Sequence, residues 1–311
     1  MGFLSLLLAL LLEQIRPLHR DQPLRHAIDA TSGWADRFLH AADQPVFGIM
    51  AWVAVAGGWS LLTWTIWWLA RSLIGELGGL VSIGALYLTL GFRQFGRRFT
   101  DIQVALSQNR LEQARNILQS WKQQTEPSFQ ASRLSREDVV RVCVEHALDL
   151  SYRHVFAVMF WFLVLPGPMG AVLYRVADYL SRIWNDPRHQ GWIFGTVAVR
   201  LQRALDWLPA RLTALSFAAA GNFDDASMLW RQYTRRPTGK SPRGVLVAVG
   251  LGALGVRFDS DTAAADVTTV DSGAGLVVDT TLLATAVGLI WRSLMIWMGL
   301  LLLITVAGLI R

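Results

Sequence analysis

The chain has 311 residues, 53% hydrophobic and 17% charged, with a net charge of +6 and a mean hydropathy of +0.35. Soluble domains carry about a quarter charged residues, so this composition excludes an ordinary soluble domain and indicates a helical membrane protein. Lone Cys143 excludes an intramolecular disulfide or a cysteine cluster, the six histidines lack paired ligand spacing, and the basic residues flank apolar runs as the positive-inside rule requires; neither metal nor nucleic acid is expected.

In chain order, Phe3 to Leu12 is apolar but too short to cross as a straight helix, and Glu13 with Arg16 close it without a small-residue cleavage site. It reads as a retained anchor or half-helix. Val46 to Ala70 holds 25 residues without a charge and five tryptophans, enough for a span. Ser72 to Phe92, interrupted only by Glu76, is the second predicted span.

Arg93 to His154 is the longest polar stretch, with ten Lys or Arg and seven acids, and is predicted to be a cytoplasmic helical insertion. Leu111, Ala114, Ile117, Leu118 and Trp121 repeat at the spacing of one helical face. Thr125 to Ser132, with Pro127, breaks that pattern, and "SRED" approximates a capping box from Ser135 to Asp138. Beyond it Arg141, Glu145, Asp149 and Arg153 form one i, i+4 stripe, either a solvated face or a polar track to the membrane surface.

Val155 to Leu173 is the third predicted span, broken or turned back by "LPGPMG". In "YRVADYLSRIW", Arg175, Asp178 and Arg182 share a face, and at membrane depth they must pair or meet water. "ALDWLPARLTALSFAAAGNF" reads as an amphipathic approach ending at Asp206 and Trp207, then a buried half-helix opening on Pro209, with Arg211 facing Asp206. Leu212 to Gly221 and Val245 to Val256 are short enough for half-helices. Asp259 to Thr281 carries five aspartates without the glycine and glutamate of a calcium loop, and reads as a flexible linker. Ser293 to Ile310 is the last span.

The predicted fold class is therefore all-α, a polytopic helical integral membrane protein with broken or re-entrant helices. Its parts are an N-terminal anchor with the first spans (1–92), the cytoplasmic insertion (93–154), a membrane core (155–258), the acidic linker (259–281) and a C-terminal span (282–311). Glu145, Asp149, Arg175, Asp178, Asp206, Arg211 and Arg257 are predicted to line one polar cavity at the cytoplasmic face, because buried charges persist only when paired or solvated. The alternative is scattered interfacial charges with snorkelling side chains.

Several segments resemble a known family. "LGFRQFGRRFTDIQVALSQNRLEQAR", "VCVEHALDLSYRHVFAVMFW", "GPMGAVLYRVADYL", "FGTVAVRLQRALDWLPARLTAL" and "GALGVRF" follow the order and spacing of the CbiB/CobD membrane proteins of cobalamin biosynthesis, over roughly Leu90 to Phe258. Glu145 matches the first acid of that family's V-E-S-x-A-E-N-x-x-D segment, but its second acid and Asn fall on Asp149 and Leu150, and its final Asp on Arg153. Tyr174 and Arg175 match the opening of Y-R-x-x-N-T-L-D-S-M, whose Asn, Thr and Asp become Asp178, Tyr179 and Ser181. The aspartate pair before P-A-R falls on Gln202 and Arg203, the Asn there becomes Asp206, and no G-R-D-T segment appears between Gln119 and Arg136. Pro209, Ala210, Arg211 and the Gly252 to Arg257 turn remain.

With those acids replaced, the chain looks more like the AmpE proteins, inner-membrane members of the same superfamily, which also begin like "LLLALLLEQIRPL" and close like "IWRSLMIWMGLLLL". This resemblance implies a sensor or modulator tied to cell-wall status and beta-lactamase induction, without catalysis or cofactor. Its partners would be the lipid bilayer of the bacterial inner membrane, a membrane or cell-wall signalling protein, and a second copy of the chain. The alternative implied by the wider family is an amide ligase of the adenosylcobinamide-phosphate synthase type, attaching aminopropanol to a corrinoid carboxylate with ATP and Mg. Broken helices also fit a transporter, but no inverted repeat supports one.

Overall fold

The computed structural model describes residues 2–15, 27–33, 45–126, 128–185, 193–235, 241–256 and 280–310. The regular elements among them are all helices. They are α1 (Gly2–Ile15), α2 (27–33), α3 (Pro45–Trp52), α4 (Gly58–Leu73), α5 (Leu77–Thr89), α6 (Phe92–Ser107), α7 (Leu111–Lys122), α8 (Arg136–Ser151), α9 (Ala157–Val164), α10 (Met169–Ile183), α11 (Ile193–Ala220), α12 (Phe223–Arg235), α13 (Pro242–Ala253) and α14 (Thr280–Ile310). Two five-residue π-helical segments, Val53–Gly57 and Tyr152–Phe156, join α3 to α4 and α8 to α9.

Three helices are long and apolar enough to cross a membrane: Val46–Leu73, Arg136–Val164 and Thr281–Ala307. Leu61, Ile66 and Leu69 on the first, and Met295, Leu303 and Ile304 on the last, are exposed, as side chains facing lipid would be. The first and last agree with the sequence expectation. Ser72 to Phe92 does not form the second predicted span. Backbone at Ile74 turns extended (φ −143, ψ 115), and the 13 residues of α5 cover only about 20 Å.

The third span is also redrawn. Leu165 is extended, Gly167 takes φ +65, and α10 starts afresh at Met169, so "LPGP" ends the helix as its prolines and glycine require. The apolar helix that stops there starts at Arg136, and the capped helix of the polar stretch is continuous with it through Tyr152–Phe156. The cap itself is as expected: Ser135 Oγ accepts from the Asp138 N–H at 3.0 Å, and the Asp138 carboxylate accepts from the Ser135 N–H.

Pro209 corrects another expectation. It lies inside the 28-residue α11 and does not open a half-helix. Its ring removes one rung of the ladder, yet Ala204, Leu205, Leu208, Ala210 and Leu212 around it are strong helix formers that carry the helix through. Arg257 and the acidic linker to Asp279 lie outside the described residues.

Contacts divide the chain into two compact units. In the first (Met1–Arg93 and Arg153–Pro209), α5 packs on α1 and α4, and α10 packs on α4, α5 and α9. Val55, Ala56, Val176, Leu180 and Trp184 form its core. Glycine is required at two approaches: a Cβ on Gly167 would strike the Trp67 ring at 2.8 Å, and one on Gly91 would overlap the His154 imidazole. In the second unit (Gln94–Tyr152 and Ala210–Arg311), α8 packs on α7, α13 and α14, and α12 on α13. Gly255 (φ 77) ends α13, with Val256 N–H donating to the Leu251 carbonyl at 3.1 Å, the 6→1 bond of a Schellman cap.

Candidate functional site

The first unit concentrates charge around one carboxylate. Residues three and four apart share a helix face, so Arg175, Asp178 and Arg182 meet on α10. Asp178 is fully buried. Arg182 Nη2 donates to Asp178 Oδ2 at 2.5 Å, and its Nε donates to the Asp178 backbone carbonyl at 3.2 Å. Arg175 Nη1 lies 4.0 Å from Oδ2, and Arg153 Nη1, from the π-helical segment, lies 3.8 Å from Oδ1. His154, next along that segment, sits in the field of all three guanidiniums and of Asp178; its Nδ1 is buried and accepts or donates no hydrogen bond.

Three guanidiniums thus face one carboxylate. The side chains of Arg153, Arg175 and Arg182 are 12%, 13% and 25% exposed, so they form a rim above a sealed acid. Along α10, Asp178 stands ten residues beyond Pro168, about 15 Å of helix rise from the Gly167 turn.

A second buried acid belongs to the same unit. Asp206 on α11, 2% exposed, accepts from the Tyr174 hydroxyl at 2.8 Å and from Gln202 Nε2 at 3.2 Å. Tyr174 immediately precedes Arg175 on α10, so one turn of helix serves both acids.

Glu145, Asp149 and Arg211 lie in the second unit. There Arg141, 6% exposed, reaches Asp138 at 3.5 Å and Glu145 at 3.7 Å. The stripe on α8 is therefore a partly buried, ion-paired face and not a fully solvated one. Trp121 from α7 stands edge-on to His146 with ring centroids 4.7 Å apart. Of the seven residues predicted for one cavity, the structure gathers Arg175 and Asp178 directly and carries Asp206 in the same unit.

Sequence reasoning left Arg153 and Arg182 out of the candidate set. The signal for Arg182 was its shared face with Asp178. Arg153 was counted only as a lost acid, yet it pairs with Asp178, itself a departure from the family pattern; the two changes compensate across 25 residues of sequence.

The Asp178 cluster offers a single carboxylate among three guanidiniums, which is not a ligand set for a divalent cation. Among the described residues no three His, Cys, Asp or Glu side chains come together as a ligand set. The chemistry this arrangement favours is neutralisation of an anion by planar guanidinium donors.

Fold and cluster thus define an all-α membrane protein with a buried cationic site. Comparison with known proteins assigns it more closely: the CobD/Cbib protein family model matches residues 6–271, and the chain belongs to that family. It is 34% identical to the cobalamin biosynthesis protein CobD of Stutzerimonas stutzeri (strain A1501), over 82% of this chain and 81% of that protein. It is 36% identical to the protein of that name from Chromobacterium violaceum, over 63% of this chain and 60% of that one. The cobalamin biosynthesis protein CbiB of Salmonella arizonae is 26% identical over 66% and 63%. No solved structure matches.

These relatives overturn the expectation of an AmpE-like sensor of cell-wall status linked to beta-lactamase induction. That reading gave the replaced acids more weight than the shared frame. The matched relatives carry cobalamin biosynthesis names, and the match extends over most of the chain.

Proposed function

We propose that the chain is a cobalamin biosynthesis enzyme of the membrane, an amide ligase joining aminopropanol to a corrinoid carboxylate. The observation that carries this is the family match over residues 6–271 together with the 34% identity to a CobD protein. Such a ligase must convert a carboxylate oxygen into a leaving group, and ATP is the activating co-substrate. Activation and attack build negative charge on oxygen, which fixed guanidiniums in a poorly solvated site stabilise more strongly than water does. Arg153, Arg175 and Arg182 are the residues assigned to that task. The departures from the family's acidic pattern mean that the charge is balanced differently here, with Asp178 supplying the counter-ion. No step is assigned to Mg, since the cluster offers it a single carboxylate among three guanidiniums.

Three long apolar helices and the apolar exteriors of α4 and α14 support a multi-pass protein of the bacterial inner membrane. The decisive experiment is complementation. A strain blocked in aminopropanol attachment, supplied with this chain, regains complete corrinoid; membrane-inserted chain that leaves the block in place overturns the proposal.

A further inference from the structure

We propose that the bilayer surface meets α14 at Arg292, with the guanidinium among the lipid phosphates, the 18 residues from Ser293 to Ile310 in hydrocarbon, and Thr280 to Trp291 outside it. This boundary rests on the membrane reading above and holds with or without the ligase activity.

The 31 residues of α14 make about 46 Å of helix, against a hydrocarbon core of about 30 Å, so part of it must leave the lipid. From Ser293 to Ile310 there is no charge, and that stretch rises about 27 Å, close to the thickness of the core. Arg292 is exposed, and among the described residues its one polar partner is the Gly288 carbonyl, to which Nε donates at 3.2 Å. A bilayer centred on the helix would hold this guanidinium within about 5 Å of the middle plane without a counter-ion, where charge is costly, and would leave the last apolar turn in water. At the surface the guanidinium meets phosphate, which its planar fork binds with paired donors, and Trp291 beside it falls at the level where membrane proteins enrich tryptophan. The exposed surface changes character at the same residue. Before Arg292 the exposed positions are Thr281, Ala284 and Thr285, small or hydroxylated. After it they include Met295, Ile296, Leu300 and Val306, and Leu302, Leu303 and Ile304 are exposed in succession, which a helix packed along one face does not show.

The test uses the full chain reconstituted in nanodiscs of phosphatidylcholine and phosphatidylglycerol. Native Cys143 is fully buried, so the unaltered chain is the blank for a charged, water-soluble maleimide. Single cysteines replace Ala284, Gly288, Gly299 and Leu303; a Cβ on Gly288 meets nothing closer than the Arg292 side chain at 4.0 Å, and one on Gly299 meets nothing within 4 Å. Expected is labelling of Ala284→Cys and Gly288→Cys and protection of Gly299→Cys and Leu303→Cys. A fluorophore attached at each position in detergent, then reconstituted with lipids brominated along the acyl chain, gives the reverse pattern: quenching at Gly299→Cys and Leu303→Cys alone. Arg292→Leu in the Gly288→Cys chain frees the apolar helix to slide inward and slows labelling about tenfold or more, whereas Arg292→Lys, which snorkels to the same level, leaves the rate within about twofold.

Quenching at all four positions overturns the boundary and leaves a membrane helix in place. A Gly288→Cys rate indifferent to Arg292→Leu overturns the assignment of Arg292 as the residue that sets it. Gly299→Cys that is protected yet unquenched, and that forms disulfides between copies, assigns the second half of α14 to a second copy of the chain and rejects lipid. Quenching at none of the positions removes the membrane reading of α14 itself, and complementation, which reads only the ligase, fails independently of either.

Discussion

Asp178→Asn is the most direct probe of the cluster because it is nearly isosteric and removes one charge from a fully buried position. Each guanidinium about 4 Å from the carboxylate is worth about 4 kcal/mol of gross attraction at an effective dielectric of about 20. Mutual repulsion of the arginines, and the water admitted by rims 12–25% open, reduce the sum. Removing one partner of a buried ion pair typically costs about 3–5 kcal/mol, and the partial opening places this variant near the lower figure. At about 2–4 °C per kcal/mol, thermal unfolding in detergent falls by about 6–12 °C. Adding Arg182→Gln to Asp178→Asn removes the guanidinium that lost its carboxylate partner, so the double variant recovers stability relative to the sum of the singles, with a coupling of about 1–3 kcal/mol. A single variant within about 2 °C of the parent, or strict additivity in the double, would refute the view that Asp178 balances these arginines.

Other perturbations address the frame. Tyr174→Phe strips Asp206 of a hydroxyl donor held at 2.8 Å and lowers stability by about 1–3 kcal/mol, measured by chemical unfolding in mixed micelles. Gly252→Ala drives a Cβ to 2.8 Å from the Ala226 Cα and the Asp225 carbonyl, both backbone, and costs about 1–3 kcal/mol; Gly79→Ala on α5, with nothing within 4 Å, is neutral or stabilising by up to about 1 kcal/mol. Thermal unfolding should fall for the first and stay level or rise for the second. Ser135→Ala removes the cap of α8 and costs about 1 kcal/mol, visible as earlier amide exchange in the first turn of that helix.

Features written in local chemistry were legible beforehand: the capping box at Ser135, the break at "LPGP", the short apolar helices α1 and α13, and the tryptophan-rich first span. Features decided by tertiary context were not. Pro209 marks a helix start by local rules, and strong helix formers on both sides overrode it. The Arg175, Asp178 and Arg182 face followed from helical spacing alone, whereas Arg153 did not: α-helical periodicity places it above Asp149, and only the packing of α10 reveals its partnership with Asp178. Counting departures from a family pattern one position at a time made two compensating changes look like two losses. That miscount is what tilted the functional reading toward a sensor and away from the biosynthetic family to which the chain belongs.

The π-helical segment Tyr152–Phe156 has a consequence for chain length. Between Ser151 and Ala157 the backbone holds one residue more than an α-helical path of the same rise. Arg153, 3.8 Å from Asp178, lies within this segment. A chain shortened by one residue there would still make a regular helix, with better hydrogen-bond geometry, and would shift the register of Arg153 and His154 against the helix before them. The change would be invisible to any comparison that scores only substitutions, because Arg153 and His154 would still be present; only the count would have changed.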